Sequence, residues 1–134
     1  MGILKWNADL NMDIQEIDEQ HKRLIDMINV FYETLSVDHR KALGELLGGL
    51  IDYTGYHFAT EERYMARFQF EEAAQHKSEH DAFVAKVRNV AERYKGGKLV
   101  VSVEVTNYLK DWIVNHIRSS DRRYAACFKT NGLH

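Results

Sequence analysis

Four stretches of the chain place apolar residues at the three-and-four spacing that a helix of 3.6 residues per turn imposes. Short polar or glycine-bearing joints separate them at 36–38, 69–70 and 95–98. The chain has no proline that would interrupt a helix. Because each amphipathic helix must bury its stripe against the others, the pattern predicts an all-α fold, an up-down antiparallel four-helix bundle.

Each predicted stripe combines apolar residues with at least one histidine. In chain order the four stripes are Ile17, His21, Leu24, Ile25, Ile28 and Leu35; Leu43, Leu46, Leu47, Leu50, Thr54, His57, Glu61 and Met65; His76, His80, Phe83, Val87 and Tyr94; and Val105, Leu109, Trp112 and His116. After the fourth stripe, around 119–121, we expect the regular helix to loosen.

The residues before the first stripe have no clean period. Trp6, Leu10 and Ile14 are nevertheless apolar enough to lie across the bundle. We therefore expect residues 1–16 to form an ordered arm and residues 17–127 to form the bundle. A chain of 134 residues fits one compact domain, so a single domain over 1–134 is expected.

Composition and charge narrow the classes of partner. The net charge of -2 gives no general reason to expect nucleic acid as a partner, because nucleic-acid binding demands a basic surface. The longest apolar runs are a few residues, far short of the roughly 20 needed to cross a bilayer, so no membrane insertion is expected. The single cysteine, Cys127, cannot form an internal disulfide, and we expect a cytoplasmic location.

Seven polar side chains interrupt the apolar stripes or follow them closely. They are His21, His57, Glu61, His76, His80, His116 and Asp121. Burial of an uncompensated charge costs several kcal/mol, which is large beside a net stability of about 5–15 kcal/mol. The stripes contain no lysine or arginine, so bound metal cations are the economical compensation. His39 and His134 lie in a joint and at the terminus, where we expect solvent exposure.

The composition of this set limits the metal. Nitrogen and oxygen ligands without thiolates suit iron, manganese or zinc. Two six-coordinate ions need about twelve ligand positions. Five histidines would fill five of them, two bridging carboxylates four, and one bridging oxygen two. One position would remain open, which suits a small diatomic ligand.

The same residues occur in four motifs that together carry a family resemblance. The motifs are Asp18-x-Gln20-His21-Lys22, His57-Phe58-Ala59-Thr60-Glu61-Glu62, His76-Lys77-Ser78-Glu79-His80, and Trp112-Ile113-Val114-Asn115-His116-Ile117 followed by Asp121 and Tyr124. In order and spacing the chain resembles the hemerythrins, the bacterial branch most closely, from Trp6 to Tyr124.

The resemblance implies a pair of oxo- or hydroxo-bridged iron ions. It assigns the ligands as follows: His76, His80 and His116 to one iron, His21 and His57 to the other, and Glu61 and Asp121 as bridges between them. The second iron would keep the open position, where molecular oxygen binds reversibly. No net reaction occurs in such a cycle, so the protein is not expected to be an enzyme.

Apolar residues near the predicted ligands would line a dry oxygen pocket. They are Leu24, Phe58, Trp112, Ile113 and Ile117. Such walls offer no general acid or base and exclude water, although plain core packing is compatible with the same positions. Tyr124 follows Asp121 by about one turn and is expected either to hydrogen-bond near a bridging carboxylate or to anchor the chain end.

Two other functional classes stay open. An oxygen-activating di-iron enzyme uses a similar bundle but typically carries Glu-x-x-His pairs, which the chain lacks; steady turnover with a reductant would favour it. A sensor domain of a larger signalling protein would use the same site, and the full reading frame would reveal it. A signalling or oxygenase partner is not identified by the sequence.

The pocket assignment predicts that Leu24→Ala accelerates autoxidation of the iron pair, because a smaller side chain admits water to a dry site. The rate of conversion to the ferric form in air, followed by absorption, measures this. A rate equal to that of the wild type would contradict the assignment of Leu24 to the pocket.

Overall fold

The computed structural model describes residues 4–34, 40–97 and 103–134. Within these ranges every regular element is helical. A short 3₁₀ turn, Ala8–Leu10, precedes the bundle. The bundle helices are α1 Gln15–Thr34, α2 Arg40–Arg67, α3 Ala73–Lys95, and a fourth segment that consists of α4 Val103–Asn115, a π-helical turn His116–Asp121 and α5 Arg122–Thr130.

Neighbouring helices run in opposite directions. Between helices that follow one another along the chain, a residue earlier in one helix contacts a residue later in the next. The pairs are Glu16–Tyr64 and Gln20–Thr60 between α1 and α2, Phe58–Phe83 and Glu62–His80 between α2 and α3, and His80–His116 and Phe83–Trp112 between α3 and the fourth segment. The predicted antiparallel four-helix bundle is confirmed.

The apolar stripes form the core of this bundle. The predicted stripe residues that the structure describes are buried, except that Leu46, Val105 and Trp112 are half-buried and pack against the core. Leu35 and the side chain of Leu43 lie outside the described residues. The three-and-four spacing therefore identified the inward faces correctly.

Two of the three predicted joints fall where the structure turns. α2 ends before Gln69, which adopts a left-handed conformation with φ of 54°. α3 ends at Lys95, and Gly97 has a φ of 74°, a conformation that glycine adopts without steric cost. The joint at 36–38 and Lys98 lie outside the described residues.

The arm before α1 is held against the bundle. Leu10 and Ile14 are buried and Trp6 is half-buried, with the Lys22 ammonium over its ring. The backbone N–H of Met12 donates to Asp18 Oδ1 at 2.8 Å. Helix α1 begins at Gln15, two residues before the predicted boundary at 17, and α5 ends at Thr130, beyond the predicted 127.

Within the described ranges, none of the helices combines the length and the apolarity that crossing a bilayer requires.

Four glycines lie within the continuous helix α2. Their presence in the sequence is compatible with either close approach of a neighbouring helix or a local kink. A Cβ at Gly48 or Gly55 would meet no heavy atom within 4 Å, and one at Gly44 or Gly49 would make ordinary contacts at 3.5 and 3.9 Å. Close approach of a neighbouring helix is therefore not what requires glycine here.

This observation predicts that Gly55→Ala stabilises the protein by about 0.5–1 kcal/mol, because alanine loses less backbone freedom in a helix. Urea unfolding gives the free energy of unfolding. The matched variant Gly97→Ala has the opposite expectation, since φ there is 74°. Equal losses of stability in both variants would show that Gly55 has a packing role.

Candidate metal centre

The seven polar residues selected from the sequence converge in the middle of the bundle. Helix α1 contributes His21, α2 contributes His57 and Glu61, α3 contributes His76 and His80, and the π-helical turn contributes His116 and Asp121. All seven are at most 5 % exposed. Each of the four helical segments thus supplies at least one ionisable group to one buried cluster.

Helix geometry explains how each pair faces inward. His57 and Glu61, like His76 and His80, are four residues apart and therefore lie on one face of an α-helix, one turn from each other. His116 and Asp121 are five residues apart, which an α-helix would not place on one face. The π-helical turn, whose hydrogen bonds span five residues, brings both inward. The expected loosening of the helix is confirmed and takes this form.

The ligand atoms form two groups. One comprises Glu61, His76, His80, His116 and Asp121, and the other comprises His21, His57, Glu61 and Asp121. Within each group the candidate ligand atoms lie within 4.8 Å of one another. We call these the three-histidine group and the two-histidine group. Glu61 and Asp121 belong to both.

Glu61 divides its two oxygens between the groups. Oε1 lies 3.1 Å from His80 Nε2 and 3.9 Å from His76 Nε2. Oε2 lies 3.4 Å from His57 Nε2 and 3.5 Å from His21 Nε2. One carboxylate therefore reaches both groups with different atoms.

Asp121 is divided in the same way. Its Oδ1 lies 3.0 Å from His76 Nε2 and 3.1 Å from His116 Nε2, whereas its Oδ2 lies 3.0 Å from His21 Nε2. His116 Nε2 is also 3.2 Å from His76 Nε2 and 3.1 Å from His80 Nε2. All five imidazoles thus direct Nε2 toward the carboxylates that the two groups share.

Several atoms of the cluster have no hydrogen-bond partner among the described residues. They are both ring nitrogens of His21, Nδ1 of His116, Oε1 of Glu61 and both oxygens of Asp121. Buried polar atoms are rarely left in this state, because each costs about 1–3 kcal/mol. Four of these atoms, His21 Nε2, Glu61 Oε1 and the two Asp121 oxygens, face the shared centre with free lone pairs. A cation needs such an arrangement, so the residues fit a metal-binding site.

The pKa values of the cluster show that the buried carboxylates stabilise positive charge on their neighbours. Burial alone would lower the pKa of His21, but its interactions with Asp121 and Glu61 outweigh burial and raise it to about 9. Burial would raise the pKa of Asp121, as would Glu61, yet His116 and His21 hold it far below its usual range. Burial dominates at His57 and lowers its pKa. A metal cation competes with protons for these same atoms.

Comparison with known proteins agrees with this geometry. The family model of the hemerythrin HHE cation binding domain matches residues 12–128. The chain belongs to the hemerythrin family. It is 33% identical to the bacteriohemerythrin of Methylococcus capsulatus over 128 residues, which cover 95% of this chain and 98% of that protein. It is 40% identical to the bacteriohemerythrin of Pseudomonas aeruginosa PAO1 over 126 residues, which cover 92% of this chain and 80% of that protein.

The fold has the same relatives. A crystal structure of wild-type hemerythrin matches with a TM-score of 0.91 at 32% identity, covering 94% of this chain and 98% of that one. A crystal structure of a hemerythrin variant matches with a TM-score of 0.93, covering 96% of this chain and 98% of the other. The four-helix bundle of this hemerythrin-family chain is therefore shown by both its contacts and its relatives.

On the α1 side, His57 is held by a buried series of hydrogen bonds. The sequence analysis did not predict these bonds. His57 Nδ1 lies 2.7 Å from Gln20 Oε1, and Gln20 Nε2 donates to Thr60 Oγ1 at 3.3 Å. The Thr60 hydroxyl donates in turn to the Tyr56 carbonyl at 3.1 Å. Because that hydroxyl has given its only proton, it must accept from Gln20, which turns Gln20 Oε1 toward His57. The available signal in the sequence was a glutamine directly before a histidine on the inward face of α1.

On the opposite side, two carboxylates lie behind the three-histidine group. Glu62 Oε2 is 2.9 Å from His80 Nδ1. Glu79 Oε1 is 3.5 Å from His116 Nδ1 and accepts a hydrogen bond from Ser120 Oγ at 2.7 Å. Both glutamates occur in the motifs quoted above, yet no role was predicted for them, because sequence spacing does not show which side chain reaches across to another helix.

Tyr124 belongs with these supporting residues. It is fully buried, and its hydroxyl donates a hydrogen bond to Glu61 Oε2. Burial, and next the negative charges of Asp121 and Glu61, raise the pKa of Tyr124, so it remains a donor at neutral pH. Of the two expected roles, the structure shows the hydrogen bond to the carboxylate, and the side chain is not an exposed anchor.

The five residues predicted to line an oxygen pocket occupy two kinds of position. Phe58 stacks on the His80 ring at 3.8 Å between centroids, and Trp112 stacks on the His116 ring at 4.4 Å. Both aromatic rings therefore contact the three-histidine group. Leu24, Ile113 and Ile117 are buried core residues. Of the two histidines expected to be solvated, His134 is exposed, and His39 lies outside the described residues.

Tyr124→Phe is predicted to destabilise the fold by about 1.5–3 kcal/mol, the usual contribution of a hydrogen bond to a charged group. Urea unfolding at one fixed metal content measures the loss. Tyr56→Phe is the matched control, because Tyr56 is 53% exposed, and its change should stay within about 0.5 kcal/mol. Equal effects at both positions would contradict a specific role for the Tyr124 hydroxyl.

Proposed function

We propose that this chain binds molecular oxygen reversibly at a non-haem pair of iron ions. The observation that carries the proposal is the division of both shared carboxylates. Glu61 and Asp121 each place one oxygen in the three-histidine group and the other oxygen in the two-histidine group. Carboxylates arranged in this way suit a bridged pair of ions better than a single ion.

The ligand roles follow from the two groups. His76, His80 and His116 would hold one iron, and His21 and His57 would hold the other. The two-histidine group has one nitrogen fewer. An iron held by that group would therefore have fewer protein ligands, which would leave room there for a small diatomic ligand.

When bound, the ferrous pair would supply reversible two-electron chemistry for a small diatomic ligand. The protein's part is to keep that chemistry reversible. Leu24, Ile113 and Ile117 are buried and carry no acid or base, and in the pocket that we assign to them they would exclude water without offering a proton. The Tyr124 hydroxyl proton is held by Glu61 Oε2. These features favour an oxygen-binding protein over an enzyme.

Relatives support the same reading. Three proteins named bacteriohemerythrin match along at least nine-tenths of this chain, and the buried cluster fits the cation binding of the matched family. We further propose a cytoplasmic location, in keeping with a single cysteine that has no partner for an internal disulfide.

A single experiment tests the proposal. The purified chain is loaded with ferrous iron under anaerobic conditions, iron is counted per chain, and visible absorption is followed while oxygen is added and then removed. We expect about two irons per chain, one for each group, and an absorption band that appears with oxygen and disappears on its removal. An irreversible ferric spectrum, or steady turnover with a reductant, would favour a scavenging enzyme instead.

Histidine variants make the assignment specific. His80→Ala should lower iron content through the three-histidine group, and His57→Ala through the two-histidine group, because each removes one ligand nitrogen. Metal analysis after desalting measures the loss. His134→Ala is the control, since His134 is exposed and outside both groups. Full iron content in His80→Ala or His57→Ala would contradict the assignment.

A further inference from the structure

The supporting hydrogen bonds of the two histidine groups differ in charge. Behind the three-histidine group, the acceptor at His80 Nδ1 is the carboxylate of Glu62 at 2.9 Å. Behind the two-histidine group, the acceptor at His57 Nδ1 is the neutral amide of Gln20 at 2.7 Å. The two contacts have nearly equal length but place a negative charge on one side only.

Both contacts fix the same tautomer. Neither a carboxylate nor an amide oxygen can donate a proton, so Nδ1 of His80 and of His57 must carry the hydrogen. Nε2 of each ring is then left with its lone pair, and this is the nitrogen that faces Glu61. Gln20 and Glu62 thus do the same orienting work on opposite sides of the centre.

Glu62 differs from Gln20 in carrying a negative charge. A carboxylate that accepts from Nδ1–H pulls the proton partly away and makes the imidazole a stronger donor to a metal. The effect is retained here because His80 is buried and the Glu62 side chain is only 28% exposed. An amide oxygen orients the ring without adding net charge.

A second carboxylate lies on the same side. Ser120 Oγ donates to Glu79 Oε1 at 2.7 Å and holds it 3.5 Å from His116 Nδ1. The longer distance and the 36% exposure of the Glu79 side chain make its contribution smaller than that of Glu62. Its negative charge nevertheless adds to the same asymmetry.

We propose that Glu62 is a positioning residue that makes the three-histidine position the one at which a higher metal charge is stabilised, whereas Gln20 orients His57 without changing that preference. This inference rests on the proposed function, because it concerns the metal pair of the same site. It makes the two ions chemically unequal even before their different histidine counts are considered.

Glutamate and glutamine have nearly the same size and shape. Two exchanges between them therefore test the effect of the negative charge without changing the position of the acceptor oxygen. Glu62→Gln removes the charge and keeps an acceptor oxygen, and Gln20→Glu adds a charge behind the two-histidine group. Glu71→Gln is the control, because Glu71 is an exposed carboxylate in the turn between α2 and α3.

The first measurement is Zn²⁺ affinity by competition with a chelator, which needs no redox chemistry. The second is the reduction potential of the iron-loaded protein.

We expect Glu62→Gln to weaken the binding of one Zn²⁺ ion about tenfold, toward the lower end of what loss of such a partner costs. The same tenfold factor between ferric and ferrous binding would raise the reduction potential by about 59 mV for a one-electron couple. Gln20→Glu should lower the potential, and Glu71→Gln should change neither quantity.

Three results would decide against the proposal. An unchanged potential in Glu62→Gln, with two irons still bound, would overturn the role of Glu62 and leave the proposed function intact. An equal shift in Glu71→Gln would show a general surface-charge effect, which also overturns it. Wild-type protein that takes up fewer than two metal ions would overturn the proposed function itself, and this inference with it.

Discussion

The structure depends on one constraint, which is the burial of two carboxylates among five imidazoles in the middle of the bundle. Glu61 and Asp121 are fully buried, and no lysine or arginine is among the buried residues of the described chain. Against the effect of burial, these carboxylates raise the pKa of His21 to about 9, so a proton on His21 would compensate part of the charge when no cation is bound. Cations bound by the same nitrogen and oxygen atoms would compensate it more completely. The bundle is thus an apolar shell around a charged centre.

The π-helical turn makes that centre compatible with four nearly continuous helices. His116 and Asp121 must both reach the interior although five residues separate them, and only the wider turn places them there. The same turn carries Arg118, whose guanidinium lies 3.6 Å from the Asp9 carboxylate, and is followed by Arg122, which donates to the Asp9 carbonyl. The segment that supplies two residues of the buried cluster therefore also contacts the N-terminal arm.

The sequence was sufficient to predict the bundle and all seven residues of the cluster, because helical periodicity determines which side chains share an inward face. It was not sufficient for the residues that support them. Gln20 and His57 are 37 positions apart, and their contact depends on how α1 and α2 pack. From sequence alone, Tyr124 could either hydrogen-bond near a carboxylate or anchor the chain end. Its burial against Glu61 depends on how the last helical turn packs. Spacing reports local geometry, whereas these contacts require the assembled fold.

The most direct test of the account is X-ray absorption at the iron edge on the reconstituted protein. If Glu61 and Asp121 each join the two histidine groups, the spectrum should contain iron–iron scattering together with a nitrogen and oxygen shell that includes imidazole. Iron in a nitrogen and oxygen shell without any iron–iron scattering would mean that the cluster holds isolated ions, and would contradict the bridged pair.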